Sequence, residues 1–148
     1  MKRLFLDANV LFTAAHSPGG KAALLMDLGR RGHWQVITSA LALEEARRNL
    51  ARKYPDRVEA FEAAVAGLAL VGTGRDSPCP LPLPEKDQPI YLAARQSGAT
   101  HLLTGDIRHF GPFMNAPERT GGINIQTVAA FLANAIGAAG PSRDDDSR

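Results

Sequence analysis

Apolar residues fall along the chain in two alternating rhythms. Short apolar runs at residues 2–6, 34–38, 68–71, 101–104 and 123–125 have the length and composition of buried strands, the first of them behind two basic residues. Between them, apolar positions recur at helical spacing and predict helices over residues 9–16, 21–31, 40–54, 56–66, 86–97 and 127–136. In the third of these, Leu43, Ala46, Leu50 and Tyr54 mark the apolar stripe, and Pro55 ends it. Ser17-Pro18-Gly19-Gly20 separates the first two helices, while Gly32 and Gly98 act as stop signals. Residues 72–84 hold two glycines and the alternating Pro78, Pro80, Pro82 and Pro84, which force an extended loop. Strands alternating with helices in this way predict an α/β domain with a parallel sheet and helices on both faces.

A length of 148 residues suits one domain with its own core, predicted here over residues 1–137. Residues 138–148 read as a disordered acidic tail around Asp144, Asp145 and Asp146, so the net charge of +2 conceals a more basic body. Cys79 is the single cysteine, and no apolar run approaches the roughly 18 residues that a membrane span needs, so a soluble cytoplasmic protein without disulfides is expected. The pairs Arg30/Arg31, Arg47/Arg48 and Arg52/Lys53 suit phosphate contacts, although a dispersed basic surface serves ordinary solvation equally well.

Two acids stand where chemistry is expected in such a sheet, outside the carboxyl ends of the strands. Asp7 follows Leu4-Phe5-Leu6, and Asp106 follows the run ending Thr104-Gly105. If their strands are neighbours, the two carboxylates repel, a cost that a hard cation such as Mg²⁺ or Mn²⁺ relieves. Asp87 stands at the start of the helix over residues 86–97, where it reads as a site residue or simply as a cap. Glu44 and Glu45 both lie off the apolar stripe of their helix, and either is free to pair with Arg47 or Arg48 instead.

Other chemistries fit poorly. The glycine that a phosphate loop needs five residues before Gly20-Lys21 is Ala15, and Ala22 replaces its metal-binding hydroxyl. Asn9 replaces the second acid of phosphatases with an aspartyl nucleophile, and His16, His33, His101 and His109 make no zinc spacing.

Taken together, Leu6-Asp7-Ala8-Asn9-Val10-Leu11, residues 38–50, Lys86-Asp87 and Leu102-Leu103-Thr104-Gly105-Asp106 resemble the PIN-domain family in order and spacing over residues 4–131. The resemblance, which is VapC-toxin-like except for longer segments at residues 72–84 and 111–122, implies a five-stranded parallel sheet and a metal-dependent endoribonuclease using Mg²⁺ or Mn²⁺. It places the catalytic and metal-binding acids at Asp7, Glu45, Asp87 and Asp106, with Glu44 as rival to Glu45, and supporting polar groups at Asn9 and Thr104. As partners it implies single-stranded or loop RNA, an antitoxin protein and a second copy of the chain, and no membrane. Arg47, Arg48, Arg95 and Arg108 are the candidate phosphate contacts, and His109 with Phe110 a candidate base-stacking pair. The alternative is a catalytically weak RNA- or partner-binding module on the same fold.

Overall fold

The computed structural model of the chain describes residues 1–72 and 77–139. Strands β1 (Arg3–Leu6), β2 (Gln35–Ser39), β3 (Ala69–Val71), β4 (His101–Leu103) and β5 (Asn124–Gln126) form one parallel sheet in the order β3-β2-β1-β4-β5. Leu4, Phe5 and Leu6 are completely buried, as a central strand covered on both faces must be. Helices α1 (Ala8–His16) and α2 (Lys21–Arg30) follow β1, and α3 (Ala40–Lys53) and α4 (Val58–Val65) follow β2. The rest are α5 (Gln88–Gln96) before β4, α6 (Ile107–Phe110) between β4 and β5, and α7 (Val128–Ala139).

The chain steps outward from β1 to β2 to β3, returns across the sheet to β4, and continues to β5. Right-handed crossovers taken in opposite directions put their helices on opposite faces, which gives the expected α/β sandwich. The direction reverses between β1 and β4, which pair in register from Leu4 opposite His101 to Leu6 opposite Leu103. The strand ends carrying Asp7 and Asp106 are therefore neighbours at the topological switch point.

Several expected boundaries move. Residues 55–57 form a 3-10 turn before α4 rather than its first turn, with Pro55 opening it. Residues 85–87 form another before α5, so Asp87 stands just outside that helix. The four-residue α6 is absent from the sequence expectation because one turn is too short to show a periodicity. Helix α7 runs to Ala139, two residues into the segment expected as tail, while Asp144 to Asp146 and residues 73–76 of the proline loop lie outside the described residues. Among the described residues, no helix is long and apolar enough to cross a membrane.

Trp34 ties α2, β2 and α7 together: its indole N–H donates to the Leu25 carbonyl at 3.0 Å, and its ring meets Phe131 edge-on at 5.0 Å. Beside it, Gly29 lets α2 approach the sheet, since a Cβ there would lie 2.6 Å from Val36 Cγ2. Gly29→Ala should lower stability by about 1–3 kcal/mol in spite of alanine's better helix propensity, because the overpacking outweighs it. Thermal melts should show the loss, and Val36→Ala in the same chain should recover part of it. A Gly29→Ala protein more stable than the wild type would mean that α2 shifts freely on the sheet.

Candidate metal centre at the switch point

Asp7 ends β1 and caps α1. Its Oδ1 accepts the Ala8 N–H at 2.7 Å, and its Oδ2 accepts the Thr104 hydroxyl at 2.8 Å and the Asn9 amide at 3.3 Å. Burial pushes the Asp7 carboxyl above its ordinary range, and the charges of Glu45 and Asp87 push the same way against the hydrogen bonds from Thr104 and Ala8. Asn9 and Thr104 join the two strand ends. The Asn9 carbonyl accepts the Gly105 N–H at 2.7 Å, and the Thr104 Oγ1 accepts the Asp106 N–H at 3.0 Å while donating to Asp7. A Cβ on Gly105 would sit 3.3 Å from Asn9 Oδ1, so a bulkier residue there would press on this bridge.

Asp106 caps α6, its Oδ1 accepting the His109 N–H at 3.1 Å. Its Oδ2 accepts from His109 Nδ1 at 2.8 Å, three residues on along the same turn. Asp87 arrives from the proline loop. There Leu81 and Leu83 are buried while Pro80, Pro82 and Pro84 face out, so the alternation lays an extended strap against the core. The Gln88 amide bonds the Leu83 carbonyl at 2.9 Å, and the Asp87 N–H bonds Pro84 at the same distance, fixing the end of the strap.

The side chain of Asp87 makes no cap to α5, so a capping role does not explain its burial. Its Oδ1 lies 3.4 Å from Lys86 Nζ and its Oδ2 2.9 Å from His109 Nδ1. Of these His109 contacts, the one to Asp106 has hydrogen-bond geometry and the one to Asp87 does not. The hydrogen is directed to Asp106, and Asp87 Oδ2 is left buried without a hydrogen-bond donor.

Glu45 projects from the exposed side of α3 into a cavity of about 50 Å³ shared with Asp7, Asn9, Lys86, Asp87, Ile90 and Asp106. Glu44 points elsewhere, to Arg47 at 2.8 Å, and Arg47 also clamps Glu62 of α4, whose carboxyl it holds below the usual range. The structure thus brings Asp7, Asn9, Glu45, Asp87 and Asp106 to one cavity, with Thr104 behind them, and leaves Glu44 and Arg47 in a separate ion-pair group. A larger cavity of about 630 Å³ lies between α1, α2 and α4, lined mostly by apolar side chains and by none of the four acids. The four acids line the smaller one.

The other expected contacts divide. Arg48 and Arg108 are exposed. Arg95 sits in the last turn of α5, at the opposite end from Asp87, where it donates to the Tyr91 hydroxyl at 2.8 Å. Its guanidinium covers Gly121, where a Cβ would lie 2.3 Å from it. The base-stacking pair His109 and Phe110 is a correction: Phe110 is completely buried as the apolar anchor of α6, and His109 is engaged by the two aspartates. The sequence reading missed Lys86, which lines the cavity, and His109, which stands against Asp106 and Asp87, though the i, i+3 spacing of Asp106 and His109 carries the signal for the second.

Asp87, Asp106 and His109 each offer one ligand atom, all within 4.8 Å of one another. Buried carboxylates in mutual repulsion, with an oxygen that no donor satisfies, fit a divalent cation. The oxygen-rich set favours Mg²⁺ or Mn²⁺, the imidazole being compatible with the latter.

A family model described as PIN domain matches residues 3–108. No curated protein matches the chain. Among solved structures, a chain from the crystal structure of VapBC2 from Rickettsia felis bound to a DNA fragment from their promoter is similar with a TM-score of 0.60 at 14% sequence identity, covering 84% of this chain and 98% of that one. At that identity the likeness speaks for the fold, and it agrees with the five-stranded sheet. With its model matched across residues 3–108, all four strand-end and helix-borne acids within that span, this chain belongs to the PIN-domain family.

Proposed function

We propose that the protein is a metal-dependent endoribonuclease cutting single-stranded or loop RNA. The observation that carries this reading is the convergence of four carboxylates from four separate segments on one cavity, one of them with a buried oxygen lacking any donor. PIN domains are generally metal-dependent nucleases, which supports it. Asp87 and Asp106 would hold Mg²⁺ or Mn²⁺, with Asp7 and Glu45 completing its surroundings directly or through water. When bound, the cation supplies charge neutralisation at the scissile phosphate and acidifies water for attack.

The chain's own groups do the rest. His109 fixes the orientation of Asp106, while Thr104 and Asn9 fix that of Asp7. Glu45, the most exposed of the four acids, is placed to accept the proton of the attacking water. Lys86, largely exposed at the rim, meets a phosphate oxygen, and Arg48 and Arg108 contact the backbone further out. In this reading the protein is the cytoplasmic toxin of a pair, restrained by an antitoxin.

The test is cleavage of a labelled single-stranded RNA panel with and without Mg²⁺ or Mn²⁺, using identically prepared variants to exclude a contaminating nuclease. Glu45→Gln should lose about 10- to 100-fold in rate, and Glu44→Gln should stay within about twofold of the wild type. The reverse ranking moves the proton acceptor to Glu44. Binding without cleavage at any metal concentration would leave a catalytically silent RNA-binding module on the fold.

A further inference from the structure

The two helices that begin beside the acids run away from them together. α1 starts at Asp7 and α3 brings Glu45 to the same cavity, and the helices stay packed along their length. At about 1.5 Å per residue, Lys53 lies about 12 Å beyond Glu45, and His16 about 10 Å beyond Asn9. Three rings meet there. His16 stacks on Tyr54 with centroids 4.9 Å apart and planes 13° from parallel, and Phe12 tilts against them at 4.8 and 5.8 Å. The Lys53 ammonium stands 5.8 Å above the Phe12 ring.

Tyr54 is the residue just past α3, where its N–H closes the helix on the Leu50 carbonyl at 2.7 Å. Its backbone leaves the helical conformation at φ −139°. Tyr54 is 40% exposed, with its ring stacked on His16. Scattered exposed aromatics need no explanation, but a contiguous partly exposed trio beside a cation does. Arg48 and Arg52, both exposed, continue the positive charge along the same helix toward the cavity.

The cavity itself is a poor place from which to draw affinity for RNA. Four carboxylates face a polyanion, and among the described residues Lys86 is the one cation lining that cavity. Binding energy must therefore come from contacts away from the reacting phosphate. An aromatic face with flanking cations supplies it without reading sequence, because every base has a face to stack. A duplex keeps its bases stacked on each other, whereas an unpaired base is free to add to the His16–Tyr54 stack.

We propose that Phe12, His16 and Tyr54 form a base-stacking subsite for single-stranded RNA, with Lys53, Arg52 and Arg48 along the connecting backbone path. This rests on the nuclease reading for the identity of the ligand, and its first test reads binding without cleavage. A short single-stranded RNA is labelled with 2-aminopurine at each position in turn and titrated with the full-length protein in EDTA. One position should be quenched on binding. In Tyr54→Ala that quenching should disappear and affinity should fall roughly 5- to 100-fold, while Tyr54→Phe stays within about twofold of the wild type. An abasic site at the quenched position should weaken the wild type and leave Tyr54→Ala without further loss. With Mn²⁺ added, Tyr54→Ala should raise KM and leave kcat nearly unchanged.

Equal binding by wild type and Tyr54→Ala with no quenched position would overturn the subsite. A patch that docks protein, or one that only braces α1 against α3, gives that result. Quenching without cleavage would leave the subsite standing and remove the nuclease reading. Cleavage indifferent to Tyr54→Ala would do the opposite.

Discussion

Asp106→Asn and Asp87→Asn should each lower RNA cleavage at saturating Mn²⁺ by about a hundredfold or more, without unfolding the protein. His109 Nδ1 stands 2.8 Å from Asp106 and 2.9 Å from Asp87, and in both cases the charge facing the cavity is what the substitution removes. The fold should survive because asparagine retains an oxygen to accept the His109 N–H that closes α6, and because Asp87 caps nothing that its loss would open. His109→Gln should act through position rather than contact. It frees the Asp106 carboxylate to turn, so a fall of about 10- to 100-fold at low metal should be partly recovered by raising the Mn²⁺ concentration. Rates measured across a metal titration distinguish the two classes: the aspartate variants should stay slow at every concentration. Full activity in Asp106→Asn would remove the proposed centre.

The sheet was legible because its strands are short apolar runs, and both strand-end acids stand directly after such runs. Asp7 after Leu6 and Asp106 after Thr104-Gly105 owe their places to strand direction alone, and the pairing of β1 with β4 makes them neighbours. What periodicity could not show depends on contacts between distant segments. Glu44 and Glu45 both lie off the apolar stripe of a helical wheel, and only the tertiary structure tells them apart, Glu44 pairing with the Arg47 that also holds Glu62 of α4 and Glu45 facing the cavity. Asp87 looks like a cap until the proline strap places it, with Leu81 and Leu83 as anchors that read simply as loop residues. Phe110 looked available for stacking because a single turn carries no stripe to mark its buried side. The aromatic trio on α1 and α3 was hidden for the same reason, since Tyr54 read as the last position of an apolar stripe and its contact with His16 spans distant parts of the sequence.

Asp7→Asn should raise the melting temperature of the metal-free protein at neutral pH and shrink the rise that Mg²⁺ or Mn²⁺ produces. Burial raises the Asp7 carboxyl above its unfolded value, so the folded chain holds that proton more tightly than the unfolded chain does. The associated stability is fully present below the unfolded carboxylate pKa and is lost as pH rises through the folded one. Above the folded pKa the metal-free wild type carries an ionised, buried Asp7 beside Glu45 and Asp87, an arrangement that favours unfolding. A cation that binds only the folded chain offsets this by about 2.7 kcal/mol at a hundredfold excess over its dissociation constant. Asparagine removes the charge and keeps an oxygen for the Ala8 N–H, but its amide nitrogen takes the place of the Oδ2 that accepts the Thr104 hydroxyl at 2.8 Å and the Asn9 amide at 3.3 Å, which offsets part of the gain. Asp7→Ala removes the cap as well, which costs about 1 kcal/mol, and so should melt below Asp7→Asn under all conditions. Melting curves from acid to neutral pH, with EDTA and with Mn²⁺, separate these effects. The wild type in EDTA should lose stability as pH rises out of the acid range, and Asp7→Asn should lose less. If Asp7→Asn melts below the wild type in EDTA at neutral pH and keeps the full response to Mn²⁺, Asp7 is a structural cap whose charge the site does not use.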